Sequence, residues 1–177
     1  MCGIAGFVGS WSPALAAAMT AAIAHRGPDG DGLWSDEGVA LGHQRLSIID
    51  LSDAAAQPMR SADDRYVLTY NGEIYNFRDL RLELEQAGAV FRTGSDTEVL
   101  LALFARDGLE CVKRLNGIFA FAVWDRRDRV LSIARDHLGV KPLYYAVLPQ
   151  GFIFASELKS LTLCPDLITR PADPDRA

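Results

Sequence analysis

Three features of this 177-residue chain could do chemistry, and they lie far apart in the sequence. The first is Cys2. Removal of Met1, which proceeds when the second side chain is small, would leave a thiol and a free α-amine on one residue. An α-amine has a reference pKa of about 7.7–8.0 and a thiol one of about 8.5, so the amine can act as general base for its own side chain. Alone, Cys2 before Gly-Ile-Ala-Gly reads more simply as a small buried hydrophobe opening a strand. The second feature is Asn71-Gly72, after the strand-like run Tyr66 to Tyr70. A side-chain amide and a neighbouring backbone N–H can converge on one developing oxyanion, and glycine lets the backbone come close. The pair is equally a hairpin-turn signal. The third is a set of separated charges, Arg45, Glu73 and Asp96. A free amino acid's carboxylate is matched by a bidentate guanidinium and its ammonium by a carboxylate. Each could instead be a surface ion or, for Asp96, a charge favoured at a helix N-terminus.

The elements that must position these residues follow from local pattern. Gly3 to Gly9 is a glycine-punctuated apolar run, read as a buried strand, and residues 13 to 25 suit an Ala-rich helix with Ser12 as N-cap and Pro13 at its first position. Val39 to Ile49 is strand-like until Asp50-Leu-Ser-Asp breaks it. A helix is expected from about Asn76 to Gln86, stopped by Gly88. Ser95-Asp-Thr-Glu98 reads as a capping box opening a second helix whose apolar face carries Val99, Leu100, Leu103 and Phe104. The β-branched and aromatic runs Ile118–Trp124, Val130–Ala134, Leu143–Leu148 and Phe152–Ala155 are read as strands. The first of these is apolar on both faces and therefore needs cover on each side. Layered sheets with helices outside satisfy that need.

Composition narrows the function classes. At this length, with 49% hydrophobic and 23% charged residues, one globular domain is expected. Eighteen basic residues against 23 acidic ones, with no basic block, speak against nucleic-acid binding. The longest apolar stretch, residues 13 to 24, is too short to span a bilayer and has no Lys or Arg before it, so neither a membrane anchor nor a signal peptide is expected. Cys2, Cys111 and Cys164 fit neither a disulfide framework nor a zinc site, which suits a reducing cytoplasm. Cys111 and Cys164 have no evident activating neighbour, and His25, His43 and His137 are too scattered to be assigned a catalytic or metal role.

The opening Met1-Cys-Gly-Ile-Ala-Gly resembles the start of the class II glutamine amidotransferases, which are N-terminal-nucleophile hydrolases. Eight further blocks, in order and spacing, resemble the asparagine synthetase branch. They are His25-Arg-Gly-Pro-Asp29, Leu41-Gly-His-Gln-Arg-Leu-Ser-Ile-Ile-Asp50, Gln57-Pro58, Tyr70-Asn-Gly-Glu-Ile-Tyr-Asn76, Gly94-Ser-Asp-Thr-Glu98, Asn116 to Asp125, Ala134 to Tyr145 and Phe154-Ala-Ser-Glu-Leu-Lys159. The resemblance runs from Met1 to about Leu161. It implies an α+β fold, a four-layer α/β/β/α sandwich of two antiparallel sheets flanked by helices.

It also implies roles. Cys2 would attack the side-chain amide of glutamine and pass through a γ-glutamyl thioester, with Asn71 and Gly72 as the oxyanion hole. Arg45 would hold the substrate carboxylate, Leu46, Ser47, Ile48 and Ile49 would line the pocket, and Glu73 and Asp96 would receive the ammonium. Arg26, Asp29, Arg135 and Asp136 would be supporting residues. The glutaminase domain would occupy residues 1–161, with 162–177 a linker or tail. The family's ATP-dependent synthetase domain, and the ATP and Mg it uses, would be absent from this chain, which itself needs no cofactor or metal. The implied partners are L-glutamine and a synthetase domain or subunit receiving ammonia; a homodimer is left open. Two other readings stand beside this one: a catalytically inactive glutamine-binding or regulatory module, and an N-terminal-nucleophile hydrolase of another amide.

Overall fold

The computed structural model describes residues 1–168. Strand β1 (Gly3–Gly9) leads to helix α1 (Pro13–Ala21), whose N-cap Ser12 accepts the N–H of Ala14. The helix stops short of the expected residue 25. Ile23 leaves helical geometry at φ −110° and buries completely against the sheet, and a 3-10 turn (Ala24–Arg26) follows. Strand β2 (Gly30–Asp36) has no counterpart in the sequence reading. It is a largely exposed edge strand, Gly-Asp-Gly-Leu-Trp-Ser-Asp, whose one strand partner is β3 (Val39–Arg45), so no apolar alternation announces it. Strand β3 ends at Arg45 rather than Ile49, because the next N–H groups bond side chains instead of a neighbouring strand.

A short β4 (Met59–Arg60) precedes β5 (Tyr66–Ile74). Here the hairpin reading of Asn71-Gly72 is corrected: both residues lie within β5, opposite Ala120 and Phe119. Helices α2 (Phe77–Gln86) and α3 (Asp96–Asp107) come next. The capping box is half formed. Ser95 accepts the N–H of Glu98, but the Glu98 carboxylate turns to the N–H groups of Arg92 and Thr93. The strands β6 (Gly117–Asp125), β7 (Val130–Arg135), β8 (Tyr144–Leu148) and β9 (Gly151–Ala155) follow as expected to within a residue, then the short helices α4 (Leu158–Leu161) and α5 (Pro165–Ile168). The expected tail from residue 162 is docked as far as α5. Cys164 is fully buried, and Trp11 Nε1 donates to Asp166 Oδ2 at 2.8 Å; the rest of that stretch lies outside the described residues.

Two antiparallel sheets result, of order β2-β3-β1-β9-β8 and β4-β5-β6-β7. Three apolar clusters fill the gaps between layers. Ala16 and Met19 of α1, with Ile23 just after it, pack with Leu161 on the outer face of the first sheet; Ile4, Leu41, Val67, Ala122 and Phe154 meet between the sheets; Leu68, Phe119 and Phe121 meet Leu100, Leu103 and Phe104 of α3 on the far side. This is the α/β/β/α sandwich. Strand β6 sits at its centre, with Phe119, Phe121 and Val123 under α3 and Ala120, Ala122 and Trp124 facing the other sheet. Burying a Phe there is worth roughly 1.5–3 kcal/mol, which explains why both faces of β6 are apolar.

Candidate functional site

Strand alternation decides which side chains share the space between the sheets. In β1 that face carries Ile4, and one step further back carries Cys2. In β3 it carries Val39, Leu41, His43 and Arg45; in β5 it carries Val67, Thr69, Asn71 and Glu73. The β1–β3 register, Gly3 to Gln44 and Ile4 to His43, continued by one residue, sets Cys2 opposite Arg45. At this end of the sandwich opens a pocket lined by Cys2, Arg45, Leu46, Ser47, Ile48, Ile49, Asn71, Gly72, Glu73 and Asp96. Every residue singled out in the sequence for catalysis or substrate contact thus borders one cavity.

The loop after β3 is laced to the site. Leu46 N–H donates to Cys2 Sγ at 3.3 Å, Ser47 N–H to Asp29 Oδ2 at 2.8 Å, and Asp29 N–H to Arg45 O at 3.0 Å. Arg45 Nη2 donates to the carbonyls of Asp50 (2.7 Å) and Ser52 (2.9 Å), closing the loop. Nε and Nη1 of Arg45 have no protein partner among the described residues. Hydrogen bonds from Ser52 and the Gly94 N–H hold the Asp50 carboxyl below its ordinary range, so Asp50 ties this loop to the start of α3 as an anion.

Asn71 and Gly72 present two donors. Asn71 is buried, and its Nδ2 donates to nothing among the described residues. The N–H and carbonyl of Phe119 both bond Asp136, so they point away from β5 and the Gly72–Phe119 pair is not hydrogen-bonded. Gly72 N–H therefore points to the opposite edge of β5. Its neighbours on that edge are engaged: Tyr70 N–H donates to Gln57 Oε1 at 2.7 Å and Ile74 N–H to Asp96 Oδ2 at 3.0 Å. Strand β4, which pairs only with Leu68 and Val67, stops short of Gly72. Glycine is required there for space. A Cβ would stand 2.5 Å from Ile118 O and 2.6 Å from the Tyr70 ring.

The carboxylates differ in setting. Asp96 is buried, and its Oδ2 accepts the Tyr70 hydroxyl at 2.7 Å as well as Ile74 N–H. Burial raises the Asp96 carboxyl above the ordinary range against those hydrogen bonds. Glu73 is exposed at the pocket rim. Other lining residues escaped the sequence reading, among them Gln57, Tyr70, Thr97 and Lys141. Lys141 is buried with Nζ 3.2 Å from Met1 Sδ. A lysine before a proline, between two strand-like runs, reads as an exposed turn, so only folding reveals it. His43 lies wholly between the sheets and donates Nε2–H to Tyr70 O at 3.1 Å, since a carbonyl can only accept. Burial lowers its pKa to about 4. Among the described residues no helix is long and apolar enough to cross a membrane, and no group of three His, Cys, Asp or Glu could hold a metal ion.

With this geometry in hand, comparison with known proteins is specific. The sequence model of the family described as "Glutamine amidotransferase domain" matches residues 1–174. Asparagine synthetase [glutamine-hydrolyzing] 1 of Bacillus subtilis is 50% identical over 143 residues, 81% of this chain and 22% of that protein. Asparagine synthetase 3 of the same organism is 42% identical over 177 residues, 96% and 29% of the two chains, and asparagine synthetase B of Escherichia coli 43% over 150 residues, 84% and 27%. The chain thus spans between 22% and 29% of the length of these relatives. Among solved structures, glutamine phosphoribosylpyrophosphate amidotransferase from B. subtilis superposes with a TM-score of 0.79 at 25% identity, over 92% of this chain and 43% of that one.

Proposed function

Because the chain belongs to the glutamine amidotransferase domain family, we propose that it is a glutaminase domain of the asparagine synthetase kind, releasing ammonia from L-glutamine at Cys2. The observation that carries this reading is the single pocket on which Cys2, Arg45, Asn71, Gly72, Glu73 and Asp96 converge from separate stretches of chain. Once Met1 is removed, the α-amine of Cys2 takes the thiol proton as sulfur attacks the side-chain amide carbon. The oxyanion is met by Asn71 Nδ2–H and Gly72 N–H, two donors that have no other partner among the described residues. The C–N bond breaks, the amine returns its proton to the departing ammonia, and water hydrolyses the γ-glutamyl thioester to glutamate and free thiol.

Arg45 holds the substrate carboxylate with the guanidinium nitrogens that the loop carbonyls leave unused, and Leu46 to Ile49 wall the pocket. Glu73 and the second oxygen of Asp96 receive the ammonium. The ammonia is meant for amidation of aspartate by a synthetase domain or subunit, where ATP and Mg would act; this chain needs neither for the glutaminase step. The cytoplasm is the compartment that suits a thiol nucleophile. The test is ammonia release from glutamine by protein whose intact mass shows Met1 removed, beside Cys2→Ala. Cys2→Ala is expected to bind glutamine and release no ammonia. Unchanged release in that variant, or glutamine binding with no turnover by the processed wild type, refutes the proposal.

A further inference from the structure

We infer that Glu157 is a positioning residue for the nucleophile, acting through Arg26 on the main chain of Cys2. This rests on the reading above that Cys2 is the nucleophile. Thiol and α-amine both hang from the Cα of the processed chain's first residue, the place where a chain is least ordered unless tied down. The sheet does not tie it: β1 begins at Gly3, and its register with β9 ends at Ala5 opposite Ala155. The two residues after β9 take over. Ser156, fully buried, donates its N–H to Ile4 O at 2.8 Å and accepts Ile4 N–H on Oγ at 2.9 Å. Arg26 Nε then donates to the carbonyl of Cys2 at 2.9 Å, and Arg26 Nη1 to Glu157 Oε1 at 3.0 Å.

Holding the Cys2 carbonyl fixes the peptide plane beyond its Cα, and so the directions in which the sulfur and the amine leave that atom. The guanidinium that does this is largely buried, its side chain 10% exposed, and its Nη2 is buried with no partner. Among the described residues Glu157 is its one carboxylate partner. Glu157 is itself set from three sides, by Arg26, by His25 Nε2 at 2.8 Å and by Lys159 Nζ at 3.2 Å. Burial would raise its carboxyl, but those hydrogen bonds outweigh it and hold the group at about 2, so the anchor stays charged at any working pH.

The experiment measures kcat and KM for glutamine, and the rate of Cys2 alkylation by iodoacetamide, in Met1-processed wild type, E157A, E157Q, R26A and R26A/E157A. Loss of the anchor misplaces the nucleophile without touching the substrate, so E157A is expected to lower kcat and alkylation by about tenfold or more, with KM within about threefold. E157Q keeps an acceptor for Arg26 and should fall between wild type and E157A. In R26A, adding E157A should change kcat by less than about twofold, because the two act in series. Full wild-type kcat in E157A, per folded molecule, overturns the inference, as does an undiminished effect of E157A in the R26A background. If E157A fails to fold, full kcat and alkylation rate in E157Q overturn it. Failure of the underlying reading looks different: ammonia release unchanged in Cys2→Ala, or absent in wild type.

Discussion

Replacing Asn71 by Leu should make the protein more stable and nearly inactive at once. Asn71 is 1% exposed in the middle of β5, and its Nδ2 donates to nothing among the described residues. An unsatisfied buried donor costs about 1–3 kcal/mol, and a leucine, of similar branching but larger, removes the donor. Some overpacking offsets the relief, so a net gain of about 1 kcal/mol is expected, which for a domain of this size raises Tm by about 2–4 °C. Losing one oxyanion donor should meanwhile lower kcat by about 10²–10³ with KM little changed. Urea unfolding at neutral pH measures the first effect, with the m-value checked for constancy, and steady-state ammonia release the second. A variant destabilised by more than about 1 kcal/mol would mean the amide has a structural partner after all. One that retains kcat to within about tenfold would remove Asn71 from the oxyanion hole.

Two further outcomes follow from the same geometry. Gly72→Ala should cost about 1–3 kcal/mol, since its Cβ would meet the β6 backbone carbonyl Ile118 O at 2.5 Å and, at 2.6 Å, the Tyr70 ring, which is held by its hydroxyl to Asp96 of α3; ammonia release should fall with it as the strand shifts, and a neutral alanine in urea unfolding would deny the close packing. His43 makes stability pH-dependent. Burial lowers its pKa from 6.5 to about 4, so the unfolded chain takes up a proton at higher pH than the folded one. Stability fully present above pH 6.5 is therefore lost as pH falls towards 4, by roughly 3 kcal/mol from this group. The difference in unfolding free energy between pH 7 and pH 4 should be smaller by about that amount in His43→Leu than in wild type, and equal slopes would show that His43 titrates normally.

Much of the fold was legible because β5, β6 and the two long helices carry their burial in their periodicity. Phe119 to Trp124 declares cover on both faces, and Ser95 and Ser12 declare helix starts. Where reading failed, a local signal was overruled by distant partners. Asn71-Gly72 carries the residues of a tight turn, yet nine residue pairs with β6 hold it as strand. Leu46 to Ile49 carries the residues of a strand, yet its N–H groups go to Cys2 and Asp29. β2 shows no apolar alternation to announce it, since it pairs with one strand and most of its residues meet solvent.

The same division runs through the site. Sequence by itself determined the reacting groups, a thiol at position 2, an amide beside a glycine, and a guanidinium with two carboxylates, because chemical identity travels with the residue. It also carried the family, in blocks whose order survives any folding. Only tertiary structure decided that the Gly72 N–H is left over at an open strand edge, that Lys141 and His43 are buried, and that a glutamate at position 157 reaches the second residue through Arg26. Those are properties of residues far apart in the chain, 27 apart for His43 and Tyr70, 131 for Arg26 and Glu157 and 140 for Lys141 and Met1, or of strand ends, and no local pattern encodes which donors the rest of the chain will leave unpaired.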